Sequence, residues 1–397
     1  MKWASMLSRQ RHPDEAVAEL AEALDRELAG PPDVLLAFAS AEHAAGCERI
    51  SALVHGRYPE ALFAGCTGGG VIGGAREAEG GAALSFTAAT LPGVALRGFH
   101  IEMTSLPPPD AEAAAWCGLT GSPPEAQPKF LLLGDPFTMD AHALIEGLDR
   151  AYPRAAKFGG IASGGRRPGE NRLMVGREVH RSGAVGVAFS GEVAVDMIIA
   201  QGCRPIGKPM LVTRCRDGLL QELDHGVPLR VLAELYSSVP DRDRDLMGDS
   251  LFLGLDMREE RVEYDPSELL VRNILGAEEE TGALAVAAEL RAMQVVQFVL
   301  RDARTAEEDL RGVLERYRRT AIVPAGALLF SCLGRGAGLF GRPDHDTQLF
   351  EEKIGLTPLG GFFCNGEIGP VGGSTFLHGY TSAFALFRDS PKAEHPL

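Results

Sequence analysis

The chain has 397 residues and a mass of 42.3 kDa, with 45% hydrophobic and 23% charged residues. That is too long for one ordinary core and too apolar for a disordered chain. Its formal net charge of −15 repels phosphate backbones and anionic headgroups, which excludes nucleic acid and membrane surfaces as expected partners unless a local basic patch exists.

Seven cysteines with no Cys-x-x-Cys pair argue against a disulfide framework or structural zinc. No stretch approaches the roughly 20 apolar residues of a membrane helix, and the start of the chain lacks an apolar leader. A soluble protein with reduced thiols in the cytoplasm is expected.

In chain order, residues 14–29 place Val17, Leu20, Leu24 and Leu28 on one helical face, and Gly30-Pro31-Pro32 ends that helix. Residues 34–39 form an unbroken apolar run, the pattern of a strand covered on both sides. A helical stretch over 43–57 leads to the strand and Gly-rich turn 61–70, and a further strand follows at 82–87. The same succession returns at 129–134, 139–151, 157–165 and 183–189, and again at 327–332, 345–353, 358–370 and 380–387. Each copy reads as a parallel βα crossover followed by a hairpin, so a mixed sheet is expected.

A Pro-rich linker spans 106–128. Residues 192–323 add other material: a strand pair at 193–201 and 208–215, a helix at 227–238, a loop through Asp241-Arg242-Asp243-Arg244-Asp245, and strands at 250–256, 268–275, 283–290 and 294–300. Thr305 and Glu308 have capping-box spacing for a helix ending at Arg319. The predicted architecture is α/β and two-lobed, with mixed sheets and a lobe boundary near 191–205. Its parts are an N-terminal helix (1–30), a first domain (31–200), a second (201–388) and a tail (389–397).

Gly68-Gly69-Gly70-Val71-Ile72-Gly73 matches G-x-G-x-x-G, but the glycines continuing to Gly81 disfavour the helix that a dinucleotide site needs. The turn can still offer backbone N–H groups to an anion. Cys66-Thr67, Ser163 and Cys364 fall at comparable places and read as small polar lining. The third copy is the richest, with Ser331, Arg335, Asn365, Glu367 and His378 at its turns. Arg335 and Glu367 suit either a small polar ligand or an internal ion pair. The candidate ligand residues are therefore Cys66, Thr67, Gly68, Gly69, Ser163, Ser331, Arg335, Asn365, Glu367 and His378. Asp344-His345-Asp346 resembles a metal triplet, yet Asp344 stands where a helix N-cap is expected. Arg316-Tyr317-Arg318-Arg319 suits a helix C-terminus.

Leu329-Phe330-Ser331-Cys332, Gly334-Arg335-Gly336, Gly361-Phe362-Phe363, Gly366-Glu367-Ile368-Gly369-Pro370 and Leu377-His378-Gly379-Tyr380-Thr381 resemble the C-terminal part of the FIST domain. Ala37-Phe38-Ala39-Ser40 and Gly65-Cys66-Thr67-Gly68-Gly69 resemble its N-terminal part. The resemblance runs from about residue 31 to 388. It implies a two-part bacterial sensory module for small ligands, amino acids among them, seated between lobes and signalling through a partner such as a histidine kinase. Some similar proteins bind haem and sense nitric oxide; His378 and His43 are the candidate iron ligands here, though no cofactor is predicted. An enzyme using Cys66 or Glu367 is a further alternative.

Overall fold

The computed structural model describes residues 1–257, 264 and 269–390; the tail expected beyond residue 390 lies outside them. The first copy runs β1 (Lys2–Ser8), α1 (Pro13–Glu27), β2 (Val34–Ser40), α2 (Cys47–Arg57), β3 (Leu62–Gly68), β4 (Val71–Gly73), β5 (Arg76–Ala78) and β6 (Leu84–Thr90). The second repeats this order as β7 (Val94–Ile101), α3 (Ala113–Thr120), β8 (Lys129–Gly134), α4 (Ala141–Ala151), β9 (Lys157–Ile161), β10 (Leu173–Val175), β11 (Glu178–His180) and β12 (Ala184–Gly191).

The third copy opens with β13 (Val193–Ala200), which the insertion then interrupts. That insertion holds β14 (Cys203–Pro205), β15 (Met210–Arg216), β16 (Leu219–Leu223), α5 (Pro228–Ser238), α6 (Asp241–Asp249), β17 (Leu251–Asp256), β18 (Leu269–Ala277), β19 (Leu284–Val286) and β20 (Val295–Arg301). The copy resumes through α7 (Ala303–Arg318), β21 (Gly326–Cys332), α8 (Gly336–Phe340), α9 (His345–Ile354), β22 (Leu359–Cys364), β23 (Glu367–Val371), β24 (Ser374–His378) and β25 (Ser382–Asp389).

The three copies build one compact unit, Met1–Ile199 with Arg311–Pro370 and Ser374 onward; Ala200–Leu310 and Val371–Gly373 form a second. The chain leaves the first unit between Ile199 and Ala200 and rejoins it at Arg311, except for Val371–Gly373. Each copy forms a sheet whose central pair is parallel: β2 with β3, β8 with β9, and β21 with β22.

The expected hairpin after the Gly-rich turn is not made within the copy. The closing strands β6, β12 and β25 pair antiparallel with β2, β8 and β21 instead. The turn sends a short hairpin into a neighbouring sheet: β4–β5 adds to β22, β10–β11 to β3, and β23–β24 to β9. The exchange is cyclic. Each sheet gains from another copy the equivalent of the hairpin that its own chain segment gave away, so no β3, β9 or β22 edge is left unpaired.

Strands 34–40 are buried throughout because both sheet faces are covered. Inner faces of the three sheets meet in an aromatic core, where Phe38 stacks on Phe362 at 4.9 Å and Phe158 lies 5.7 Å from Phe387. On the outside, Leu20 and Leu24 of α1 and Ile50 of α2 cover the first sheet. Trp116 of α3 and Leu148 of α4 cover the second. Phe350 of α9 stacks on Phe384 of the third at 5.2 Å.

In the second unit, β20-β15-β16-β19-β18-β17 closes back on β20 as an antiparallel barrel, with β14 added outside the ring. Three expectations change here. The segment at 193–200 joins the third sheet and does not pair with β15. Residues 241–249 are helical, with Asp241 and Asp243 in the favourable first turn after Pro240. Asp302, not Thr305, caps α7: its Oδ1 accepts the Thr305 N–H at 2.7 Å. Among the described residues no helix is long and apolar enough to cross a membrane.

Candidate functional site

A Cβ on Gly65, Gly159 or Gly361 would lie 1.8, 1.9 and 1.9 Å from the carbonyl oxygens of Ala37, Leu132 and Leu329. These glycines are therefore equivalent and set the alignment of the copies. Ser163 then corresponds to Gly69 and Asn365, while Cys364 corresponds to Gly68 and Ala162. Cys66, Ser163 and Cys364, expected at comparable places, are not equivalent, because they stand one, four and three residues after the shared glycine.

The three turns close a ring. The Asn365 N–H donates to the Ile161 carbonyl at 3.0 Å, and the Ser163 N–H donates to Thr67 at 3.1 Å. At the third position Ser163 bridges: its Oγ accepts from the Gly69 N–H at 2.8 Å and donates to the Phe363 carbonyl at 2.5 Å. The Gly69 and Ser163 amides that an anion nest would use are thereby spent. A strand follows Gly70 rather than a helix, so the dinucleotide match carries no site.

Beside the ring lies a buried polar network. Arg335 donates from Nε and Nη2 to the two oxygens of Asp346 at 2.8 and 3.0 Å. Asp346 also receives the Ser382 hydroxyl at 2.5 Å and meets His345 Nδ1 at 2.8 Å, with Ser331 Oγ 3.5 Å away. Burial would raise the Asp346 pKa, but Arg335, His345 and Ser382 together hold it far below the usual carboxylate range. The expected internal pairing of Arg335 is thus real, with Asp346 and not Glu367 as its carboxylate. Asp344 is not an N-cap by its side chain; its Oδ1 accepts the Glu77 N–H at 2.6 Å.

The other named residues sit in separate places. Cys66 is fully buried, and burial pushes its thiol well above the ordinary value. Thr67 receives the Arg172 N–H at 3.1 Å, and its hydroxyl lies 3.4 Å from Asn171 Oδ1. Asn365 is exposed. Glu367 is buried and accepts the Thr381 N–H at 3.1 Å. His378 Nε2 meets the Gly369 carbonyl at 3.0 Å, and His43 Nε2 meets that of Gln10 at 3.0 Å. Both imidazoles are buried, and neither lines the open cavity beside β1 and α1. Among the described residues no group of three or more His, Cys, Asp or Glu is arranged to hold a metal.

An open cavity of about 540 Å³ lies between β1, α1, the β4–β5 hairpin and the approach to α9. Met6, Leu7, Leu20, Ala23 and Pro343 give it apolar walls; Arg9, Arg76, Glu19 and Asp344 give it charges of both signs, and Glu77 adds a carboxyl. None of these cavity residues was legible as functional, because four separate chain segments supply them.

Two family models match the chain: the FIST N domain over residues 33–226 and the FIST C domain over 228–370. The chain belongs to the FIST family. The junction between the two FIST models falls inside the barrel unit, after β16, so the family's two-part division differs from the two compact units. An uncharacterised protein of Mycobacterium tuberculosis is 35% identical over 378 residues, covering 94% of this chain and 96% of its own. One of Mycobacterium bovis is 35% identical over 382 residues, covering 94% and 96%. An F-box/LRR-repeat protein of Arabidopsis thaliana is 29% identical over 139 residues, 30% of this chain and 26% of that one. A solved cyanuric acid hydrolase from A. caulinodans covers 98% of this FIST chain and 99% of its own with a TM-score of 0.37 and 10% identity.

Proposed function

We propose that this FIST protein is a sensor in signal transduction that binds a small polar ligand in the cavity beside β1 and α1, in preference to a site between lobes. The signal then passes to a protein partner, a histidine kinase being the expected kind. The observation that carries this reading is the cavity itself: about 540 Å³, apolar on one side and bearing carboxylates and arginines on the other. Such a lining suits a zwitterion with an apolar side chain. Arg9 and Arg76 would take a carboxylate, Glu19 or Asp344 an ammonium group, and Met6, Leu7 and Leu20 the side chain; an amino acid meets all three demands. The metabolite reading is preferred to the haem reading because neither His43 nor His378 lines the cavity. It is preferred to an enzyme using Cys66 because that thiol is sealed in the core.

Native mass spectrometry of untreated protein and a thermal-shift screen of amino acids and small acids test the proposal. A ligand at 100 times its Kd adds about 2.7 kcal/mol to stability and a measurable rise in Tm. Arg76→Ala is expected to abolish that rise while leaving the unliganded Tm within a degree or so, since the side chain is exposed. A ligand whose shift survives both Arg76→Ala and Ala23→Trp, which adds bulk at the half-buried cavity wall, would place the site elsewhere.

A further inference from the structure

We propose that protonation of Glu77 clamps the crossing hairpin β4–β5 onto the start of α9. The hairpin docks through acidic groups. Glu77 Oε1 accepts the Thr347 N–H of α9 at 2.9 Å, the Glu77 N–H donates to Asp344 Oδ1 at 2.6 Å, and Glu79 Oε1 accepts the Ala337 N–H at 2.8 Å. Glu77 is only 4% exposed, and its second oxygen, Oε2, is buried with no hydrogen-bond partner among the described residues. A bare buried carboxylate oxygen costs desolvation energy that nothing returns, and protonation removes the charge.

The company that Glu77 keeps adds to that cost. Glu79 on its own segment and Asp344 and Asp346 at α9 are all acidic. Arg335 beside α8 directs Nε and Nη2 at Asp346, and His345 is hydrogen-bonded to the same carboxylate. From the β1–α1 side, Arg9 reaches the Glu77 backbone carbonyl at 3.5 Å rather than its carboxylate, and Glu19 receives the Ser8 hydroxyl. Arg76 lies exposed on the hairpin. Burial first, and then the Asp346 charge, push the Glu77 carboxyl up to about 7.

The sign follows from linkage. A carboxyl whose pKa is raised on docking, from an ordinary 4.5 to about 7, favours the docked state fully below the lower value. That advantage is lost as pH rises through the interval, at up to about tenfold in the opening equilibrium per pH unit, and levels off above about 7. Because Glu77 lines the cavity, the same proton tunes the proposed ligand site; this last clause rests on the cavity reading, and the clamp does not.

The test is hydrogen exchange of residues 71–78 and of the Thr347 amide in the unliganded full chain from pH 5 to 8, corrected for intrinsic exchange. Wild-type protection should fall by up to about tenfold per unit between about pH 5 and 7 and then level. Glu77→Gln should be flat, and Glu79→Gln should keep the slope. A flat wild type, or a slope that survives Glu77→Gln, overturns the proposal. Should Glu77→Gln fail to fold, infrared difference spectra of wild type decide: a carboxylic-acid carbonyl band that titrates near pH 7 is expected, and its absence overturns the proposal. Ligand binding with pH-independent protection would sink the clamp alone; a proton-linked clamp with no cavity ligand would sink the cavity reading alone.

Discussion

Replacing Arg335 by leucine should destabilise the first unit by about 4 kcal/mol with no ligand present. The side chains of Arg335 and Asp346 are 0% and 3% exposed, and two hydrogen bonds of 2.8 and 3.0 Å join them. Removing one partner of such a pair strands a buried charge, which costs about 3–5 kcal/mol. The Ser382 and His345 contacts to Asp346 soften that cost, while the lost packing of the guanidinium 5.3 Å from the Phe340 ring adds roughly 0.5–1 kcal/mol. Asp346→Leu should cost a similar amount by stranding the cation. The double variant should cost well under the sum, because an apolar pair leaves no unpaired charge. Urea unfolding at pH 7.5, read on the transition of the first unit, measures all three. Acid adds a second reading: the lowered Asp346 pKa is stability present above about pH 3.8 and lost as pH falls below it, so the gap between wild type and Arg335→Leu should narrow in acid. If Arg335→Leu costs less than about 1 kcal/mol, or if the two single costs simply add, the scaffold role assigned to this arginine is wrong.

Gly159→Ala or Gly361→Ala should abolish soluble expression, since each Cβ would meet a carbonyl oxygen at 1.9 Å with φ at +145° and +147°; Gly80→Ala, with nothing within 4 Å, is the unaffected control. Ser163→Ala should cost about 2 kcal/mol in the same unfolding assay by breaking the bridge between the Gly69 N–H and the Phe363 carbonyl. Native Cys66 should resist a thiol reagent at pH 8 by at least about 100-fold relative to unfolded protein, whereas partly exposed Cys332 should react; prompt labelling of Cys66 would restore it as a nucleophile.

The repeat was legible because its signal is local. An apolar run, an amphipathic helix and a Gly-rich turn each lie within about 15 residues, and their order recurs. Two of the opening strands, β1 and β7, were missed; β7 alternates intermediate and exposed positions, and so carries no strong apolar pattern. Asp302 was passed over as a cap because Thr305 and Glu308 had the familiar spacing; the chain uses the carboxylate one turn earlier. The candidate site was less legible. Arg335 stands out in the sequence, but with Glu367 as its alternative partner; Asp346, which it actually pairs with, reads there only as part of the Asp344-His345-Asp346 triplet before a helix.

Sequence by itself determined the α/β class, the threefold recurrence, the turn glycines and the FIST membership, since each depends on residue type and spacing along a short stretch. Tertiary structure alone decided where those pieces go. Nothing in residues 71–78 states that they will pair with β22, nearly 290 positions later, instead of with β3. Cyclic exchange follows from closing three sheets around one core, and that closure carries Glu77 to α9 and assembles the cavity. Long-range juxtaposition of this kind leaves no mark at short spacing, so the residues proposed to bind and to sense protons became visible only in the folded chain.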